Sequence, residues 1–189
     1  MIDLETGRFV LRKGVELYPG MTREEFFNSP IYKKELLWER DREDPREECY
    51  DIKTQEIDGY KMDMEIWFSN DDEYGDYINQ IKMTKPEFYD WPEGWPKDWD
   101  SYAYEIKRYN DEFLQKQIER SIREGKELWY DYDWGSITSS ISLMHTPHVM
   151  ITIRYRVVPF LEAKGKKIKG LEELTLEDIK RLFSGSDDE

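Results

Sequence analysis

Hydrophobic and polar residues alternate most clearly over residues 134–157. Two extended runs flank the breaker His-Thr-Pro-His at 145–148, which is the pattern of a β-hairpin. Apolar residues occupy every other position of the second run and therefore share one face: Val149, Ile151, Ile153, Tyr155 and Val157. We expect the core to assemble on this face. The other face, with Ser136, Thr138 and Arg154, is expected to meet solvent or a partner.

A second alternating run covers residues 60–68 and follows Asp58-Gly59, a dipeptide typical of two-residue hairpin turns. With a strand on either side, this run predicts a three-stranded meander over 49–85. A short strand over 128–132 leads into the C-terminal hairpin. A small separate hairpin is predicted over residues 2–17 because two short apolar runs are punctuated by glycines.

Two short helices are predicted between the first hairpin and the meander. Thr22 and Glu25 form a capping box, in which the hydroxyl and the carboxylate each satisfy a free backbone N–H at a helix start. Pro30 suits the first turn of the next helix, which is expected to run to about Glu39.

The longest predicted helix is capped by Asp100 or Ser101 and ends at Gly125. Its apolar residues recur at spacings of mostly three and four, so one face is expected to be buried. That face comprises Tyr102, Ile106, Tyr109, Phe113, Ile118 and Ile122. We expect the hairpin residues Val149, Ile151, Ile153 and Tyr155 to pack under Ile106, Tyr109 and Phe113.

The order of elements is helix then strands, twice, which predicts an α+β fold. We expect an antiparallel β-sheet, made of the meander and the C-terminal hairpin, with one long and two short helices packed on one face. Residues 1–160 are predicted to form a single α+β domain. Residues 161–189 are predicted to form a basic linker, a short helix and an acidic tail.

Composition indicates a folded chain with an acidic surface. Its mean hydropathy of -0.89 is low, but 15% of its residues are aromatic, and disordered chains are poor in aromatics. The net charge is -14, of which residues 41–76 contribute -10, from 14 acidic and 4 basic residues. Such a field repels nucleic acids and anionic membranes and attracts basic proteins. The alternative is that these charges serve solubility alone.

Two groups of residues are the candidates for binding a protein partner. The acidic candidates, expected to accelerate encounter with a basic protein, are Asp44, Glu47, Glu48, Asp71, Asp72 and Glu73. The aromatic candidates are Trp91, Trp95 and Trp99, because tryptophan is enriched among the residues that dominate interface energetics. The alternatives for these rings are that they close the sheet or cover the long helix, or that they form a carbohydrate platform.

No catalytic residue, metal site or cofactor is predicted. The only histidines, His145 and His148, have a spacing that is not specific for a metal, and Pro147 between them suits a plain turn. Cys49 follows two glutamates, which disfavour a thiolate. The acidic stretch 70–75 lacks the ligand spacing of a calcium loop. No apolar stretch suggests a leader or a membrane span, so a cytoplasmic location is expected; the oligomeric state is left open.

Two resemblances add to this picture. Residues 19–26, with the capping box, a second short helix and a meander, resemble the helix entry of the β-lactamase-inhibitor-like fold, which small outer-membrane assembly lipoproteins share. The chain lacks a lipoprotein signal, so that location is not carried over. Most of the chain also looks similar to an uncharacterised family of cytoplasmic proteins from Gram-positive and gut bacteria. That similarity implies an α+β domain and no activity, and it is carried by Leu4-Glu5-Thr6-Gly7, by residues 14–22, by Trp134-Gly135 with Ile137 and Ser139, and by Ile151, Ile153 and Tyr155.

The leading hypothesis is therefore a protein-interaction domain, most concretely an immunity or inhibitor protein that binds a cationic bacterial toxin. One alternative is a small hydrolase or ligand-binding domain with a pocket between the sheet and the long helix. Another is a housekeeping domain of no readable role. A deep pocket that gathers two carboxylates, or both histidines with an acid, favours the hydrolase. A flat acidic surface with exposed rings favours the interaction protein.

Overall fold

The computed structural model describes residues 1–33, 49–69, 76–86, 99–118, 128–142 and 148–156. These ranges contain eight strands and three helices. The elements are β1 (Phe9–Arg12), β2 (Val15–Leu17), α1 (Arg23–Asn28), α2 (Pro30–Lys33), β3 (Cys49–Ile57), β4 (Tyr60–Phe68), β5 (Ile78–Thr84), α3 (Trp99–Ile118), β6 (Leu128–Tyr132), β7 (Gly135–Ser142) and β8 (His148–Tyr155). The predicted appendage over 161–189 and the ends of the second and third helices lie outside the described residues.

Six of the strands form one antiparallel sheet in the order β3-β4-β5-β8-β7-β6. The hairpin β7–β8 joins the meander β3–β5 through pairing of β5 with β8, where Ile81 lies opposite Ile153 and Met83 opposite Ile151. Strands β7 and β8 are therefore interior strands of the sheet. Within the described chain, β3 and β6 are the edge strands. Strands β1 and β2 pair separately as a small hairpin.

The elements outside the sheet share a core with one of its faces. Residues on that face are fully buried in neighbouring strands, as at Ile66, Ile81 and Ile153. Phe26 of α1 packs there at 5.4 Å from Tyr50 and 5.3 Å from Phe68, measured between ring centroids. Phe113 and Leu114 of α3 and the apolar residues of β1 and β2 belong to the same buried cluster. The predicted α+β fold, with one long and two short helices, is confirmed.

Two β-bulges shift the alternation of buried residues in ways that a strict period of two does not anticipate. In β3 the register with β4 shifts between Ile52 and Gln55, so Ile52 and Ile57 are both buried although they are an odd number of residues apart. In β5 a similar shift lets Ile78 and Ile81 face the core together. The extra residue in each strand keeps the apolar set on the covered face.

The turn between β3 and β4 has the conformation that its sequence predicts. Asp58 and Gly59 have φ angles of 52° and 86°, the left-handed values that a two-residue hairpin turn of the primed type requires. This turn also contacts the end of α3. Lys116 Nζ donates to the carbonyl of Asp58 at 2.7 Å, and Gln117 Nε2 donates to its carboxylate at 2.7 Å.

The buried face of α3 differs from the predicted one. Ile106, Phe113 and Ile118 are buried as expected, but Tyr102 and Tyr109 are only partly buried. The face also contains four buried polar residues that apolar spacing did not select: Lys107, Asn110, Asp111 and Gln117. A rule that selects apolar residues cannot find this stripe, because its polar groups are satisfied by one another and by partners elsewhere in the chain.

Two predictions about the C-terminal hairpin need correction. Val149 does pack with Ile106, but Tyr155, about 20 Å further along the strand, packs against Trp134 with 5.9 Å between ring centroids. Tyr155 thus packs at the other end of β8 and not under the long helix. Ser136, expected on the exposed face, is buried near the start of β7.

Substitution of Ile151 tests which face of β8 is covered. Ile151 is fully buried between its cross-strand neighbours Met83 and Ser139, so Ile151→Ala should lower the free energy of unfolding by about 2–5 kcal/mol through lost burial and a residual cavity. The matched control, Thr152→Ala, lies on the opposite face and should change it by about 0.5 kcal/mol or less. Urea denaturation measures both. If Ile151→Ala lowered the free energy of unfolding by less than about 1 kcal/mol, Ile151 would not lie on the covered face of the sheet.

Candidate functional site

A buried polar cluster joins α3 to the covered face of β7. Lys107 is 1% exposed, and its Nζ lies 2.6 Å from both carboxylate oxygens of Asp111, one helical turn further along. Ser139 of β7 is fully buried, and its Oγ donates to Asp111 Oδ1 at 2.6 Å. The helix thus brings a buried charge pair to one defined position on the sheet.

Two amides extend this polar stripe along α3. Asn110 Nδ2 donates to Thr84 Oγ1 at 3.3 Å, and its Oδ1 accepts from the backbone N–H of Lys85 at 3.1 Å. Gln117 Oε1 accepts from the backbone N–H of Ile2 at 3.3 Å. The stripe therefore ties the helix to the end of β5, to the β3–β4 turn and to the N-terminal segment.

Serine, lysine and aspartate can form a catalytic group, but this arrangement does not present one. A nucleophilic serine needs a neighbouring base and access to substrate. Here the hydroxyl of Ser139 donates to the carboxylate of Asp111, and Ser139 and Lys107 are both buried. The cluster orients α3 on the sheet, which is a structural role.

A surface cleft of about 610 Å³ lies at the rim between the β3–β4 hairpin and α3, a volume within the usual range for ligand pockets. The described residues that line it are Thr54, Glu56, Lys61, Lys85, Pro86 and Tyr109. Each lysine has a carboxylate beside it: Glu56 lies opposite Lys61 in the sheet, and Lys85 Nζ is 3.2 Å from Glu105. Glu56 is the one carboxylate in this lining, so the described residues do not supply the paired carboxylates that the hydrolase hypothesis requires.

Most of the predicted binding residues lie outside the described residues: Asp44, Glu47, Glu48, Asp71, Asp72, Glu73, Trp91 and Trp95. Trp99 is described, and it is the first residue of α3. Its ring is partly buried against a cluster of Ala103, Ile106 and Val149 and lies 6.1 Å from the ring of Tyr102. At this position the structure agrees with the alternative that the ring covers the long helix.

The described residues next to the two acidic segments meet at one end of the sheet. Residues 34–48 lead into Cys49, which pairs with Trp67 near the end of β4. Residues 70–75 leave from Ser69, just beyond β4, and return to Asp76. Ser69 N–H donates to Tyr77 O at 2.8 Å, which closes the base of this second segment. The topology therefore attaches both acidic segments to the same end of the sheet.

Arg23 fixes Asp76, the residue at which the second acidic segment rejoins the described chain. Its guanidinium donates to both carboxylate oxygens of Asp76 and, at 3.1 Å, to the hydroxyl of Tyr50, and it lies 4.4 Å from the ring centre of Phe68. Burial alone lowers the pKa of Arg23, but the hydrogen bonds and charge of Asp76 outweigh burial and leave that pKa raised. No sequence signal marked Arg23, because its partner is distant in the chain.

Four of the residues that carry the resemblance to the uncharacterised bacterial family, Leu4, Gly7, Trp134 and Tyr155, meet at one corner of the fold. Trp134 Nε1 donates to Leu4 O at 2.9 Å, and the hydroxyl of Tyr155 donates to Gly7 O at 3.0 Å. Gly7 has a φ of 71°, and a Cβ there would lie 2.5 Å from Trp134. These residues fasten the N-terminal turn to the sheet, which gives them a structural role in this chain. The resemblance itself stays a prediction.

The remaining candidates for chemistry are spread apart in the described chain. His148 begins β8 opposite Ser142, whereas His145 lies outside the described residues. Cys49 is partly buried at the start of β3. Across the described ranges no three His, Cys, Asp or Glu residues are grouped closely enough to hold a metal.

The face of the sheet opposite α3 carries charged and aromatic residues among those described. Lys82 Nζ lies 4.0 Å from the ring centre of Trp67, whose Nε1 donates to Glu65 at 2.9 Å. Trp129 of β6 is 67% exposed. Trp129, an exposed ring among the described residues, is thus one that the sequence did not indicate, while Trp91 and Trp95 lie outside them.

Comparison with known proteins gives one weak likeness. No protein-family model and no curated protein matches the sequence. One chain of a solved structure, described as "Rhs1-CT in complex with cognate immunity protein RhsI1", is similar at 11% identity, over 88% of this chain and 98% of that chain, with a TM-score of 0.47. A likeness at this level does not establish a shared fold. Separately, none of the helices in the described ranges has the length and apolarity needed to cross a membrane.

The buried charge pair can be tested by removing one or both charges. Asp111→Ala leaves the ammonium of Lys107 buried without a counter-charge, and it should lower the free energy of unfolding by about 3–5 kcal/mol. Replacing both residues, as Lys107→Met with Asp111→Leu, removes both charges and should recover most of that loss. Chemical denaturation of the three proteins makes the comparison. A double variant no more stable than Asp111→Ala would contradict a buried, mutually dependent pair.

We expect the burial of Tyr155 to make the protein less stable at alkaline pH. Burial raises the pKa of Tyr155 above its ordinary value. Above pH about 10 the unfolded chain releases this proton while the folded chain keeps it, so the free energy of unfolding should fall as the pH rises, and it should be unaffected by this group below that pH. Tyr155→Phe should make the fall shallower, by up to about 1.4 kcal/mol per pH unit.

Denaturation at several pH values measures this slope. Tyr104→Phe, which removes a hydroxyl from an exposed ring on α3, is the matched control and should keep the wild-type slope. Equal slopes for the wild type and Tyr155→Phe would contradict the predicted role of burial.

Proposed function

We propose that the protein is a protein-interaction domain that binds a basic protein, most concretely an immunity or inhibitor protein that neutralises a cationic bacterial toxin. The observation that carries the proposal is that two acidic segments join the sheet at the same end. Residues 41–76 have a net charge of -10, and the two acidic segments that flank β3 and β4 are attached to the sheet at the same end.

The proposed mechanism has two steps. The acids Asp44, Glu47, Glu48, Asp71, Asp72 and Glu73 raise the rate of encounter with a basic protein and discriminate against acidic ones. Apolar and aromatic contacts then hold the complex, with Trp91 and Trp95 as the proposed anchors. Arg23 would contribute indirectly, because it fixes Asp76 and so the return of the second acidic segment. We place the protein in the bacterial cytoplasm, and this location is part of the proposal.

The first experiment identifies the partner. The protein is used to capture proteins from its native host at low salt, and bound proteins are identified by mass spectrometry. A toxin partner should be basic and should arrest growth when expressed alone, and co-expression of the wild type should restore growth. Recovery of no basic partner, or of complexes that persist unchanged at about 0.5 M salt, where surface charges are largely screened, would contradict the proposal.

The second experiment tests the acids directly. The triple variant Asp71→Asn, Asp72→Asn, Glu73→Gln should lower the association rate with that partner by about tenfold at low salt and reduce its salt dependence. The control variant Glu5→Gln, Glu112→Gln, Asp133→Asn changes net charge equally at three exposed acids elsewhere, and it should bind close to the wild-type rate. If both variants associated with the partner at the same reduced rate, net charge would control association and the position of Asp71, Asp72 and Glu73 would not.

A further inference from the structure

Asp58-Gly59 is the one place in the chain where glycine directly follows aspartate. This dipeptide is prone to rearrange, because the backbone nitrogen of glycine can attack the side-chain carboxyl of the preceding aspartate. Glycine has no Cβ, so its nitrogen is less shielded than that of any other residue. Here the dipeptide forms the turn between β3 and β4, and both of its residues are exposed and therefore in contact with water.

The turn holds Asp58 in a backbone conformation that few side chains tolerate. Its φ of 52° is left-handed, and among the described residues it is the one residue other than glycine with a positive φ. Aspartate accepts this conformation better than most side chains do, and the hairpin requires it. Pairing of Ile57 with Tyr60 closes the turn on either side. The reactive dipeptide is therefore held at a fixed position.

The end of α3 contacts both of the groups that take part in such a rearrangement. Gln117 Nε2 donates to the carboxylate of Asp58 at 2.7 Å, and its Oε1 accepts from the backbone N–H of Ile2 at 3.3 Å. Lys116 Nζ donates to the backbone carbonyl oxygen of Asp58 at 2.7 Å. That oxygen belongs to the same peptide group as the nitrogen of Gly59, so neighbouring helix residues contact the carboxyl and the nucleophilic peptide separately.

We infer that Asp58 is a site of backbone isomerisation to isoaspartate, which Gln117 restrains and Lys116 promotes. In the first step a bond forms between the nitrogen of Gly59 and Cγ of Asp58. One carboxyl oxygen leaves as water with the proton of that nitrogen and a proton from solvent, which gives a cyclic succinimide. A water molecule then opens the ring. Cleavage at the main-chain carbonyl carbon gives isoaspartate, and cleavage at Cγ restores aspartate.

The two helix side chains have opposite effects on ring closure. The carboxyl must leave Gln117 before it can meet the nitrogen of Gly59, and a hydrogen bond to a charged group is among the stronger ones in proteins. Loss of the proton from that nitrogen leaves negative charge shared with the peptide oxygen. The ammonium of Lys116 already lies at this oxygen and stabilises the charge as it develops. The rate therefore depends on which of the two contacts is present.

Isomerisation would separate the hairpin turn from α3. Isoaspartate adds a methylene group to the backbone of the turn, and the longer turn no longer fits the two-residue geometry that sets the register of β3 with β4. It also converts the carbonyl that Lys116 contacts into a free carboxylate. We expect modified chains to unfold at a lower temperature. The inference does not depend on the proposed function, since no partner takes part in the reaction.

Peptide mapping of the full chain by mass spectrometry, after incubation at neutral pH, tests the restraint by Gln117. Isoaspartate changes the elution of the peptide but not its mass, and the succinimide is lighter by one water. Gln117→Glu keeps an acceptor for the N–H of Ile2 but loses the donor to Asp58, and it should form isoaspartate about tenfold faster than the wild type. Gln115→Glu makes the same change at an exposed position of α3 and should keep the wild-type rate.

The effect of Lys116 is tested in the Gln117→Glu background. Adding Lys116→Met removes the ammonium and should slow the reaction about tenfold, less than the loss of a donor costs in a site that excludes water. Adding Lys116→Arg instead keeps a positive donor and should preserve most of the rate. In concentrated urea all variants should react at the same rate, because α3 no longer contacts the turn.

Each opposite result would overturn part or all of the inference. Equal rates for the folded wild type and Gln117→Glu would exclude the restraint, and an unchanged rate with Lys116→Met would exclude the promotion. If no folded variant formed isoaspartate while the chain in urea did, Asp58 would not be a site in the native protein. Rate differences that persist in urea would exclude control by α3. Thermal unfolding midpoints verify folding before incubation, and Gln117→Met removes the donor a second way if Gln117→Glu is not folded.

Discussion

The position of α3 on the sheet depends on the buried contact between Lys107, Asp111 and Ser139. Apolar packing alone is tolerant, since Ile106 and Phe113 would meet other apolar residues if the helix moved by one turn, about 5.4 Å. The charge pair is not tolerant, because its hydrogen bond to Ser139 exists at one place only. Such a pair adds little net stability compared with apolar residues of the same size, but the wrong register would leave polar groups buried without partners. We attribute the defined position of α3 to this cost.

That constraint also explains why prediction from sequence succeeded for the elements and failed for part of the helix. Alternation of apolar residues identified β4 and β8, and the Asp58-Gly59 turn and the Thr22-Glu25 capping box have the predicted local geometry. These signals lie within a few residues of one another. The partners of Asp111, Asn110 and Gln117 include residues far away in the chain, so polar residues on a buried face look like exposed ones in the sequence. The bulges in β3 and β5 were not predicted for the same reason, because the opposite strand determines where they occur.

The candidate binding residues could be predicted less well than the fold, and the reasons are physical. Charge is a property of composition, so the acidic stretch 41–76 was evident, but its attachment to one end of the sheet depends on strand pairing between Cys49 and Trp67. Exposure of single rings was not predictable. Trp99 satisfies the helix spacing and packs on Ala103 and Ile106, whereas Trp129 alternates with residues of the covered face and projects from the other.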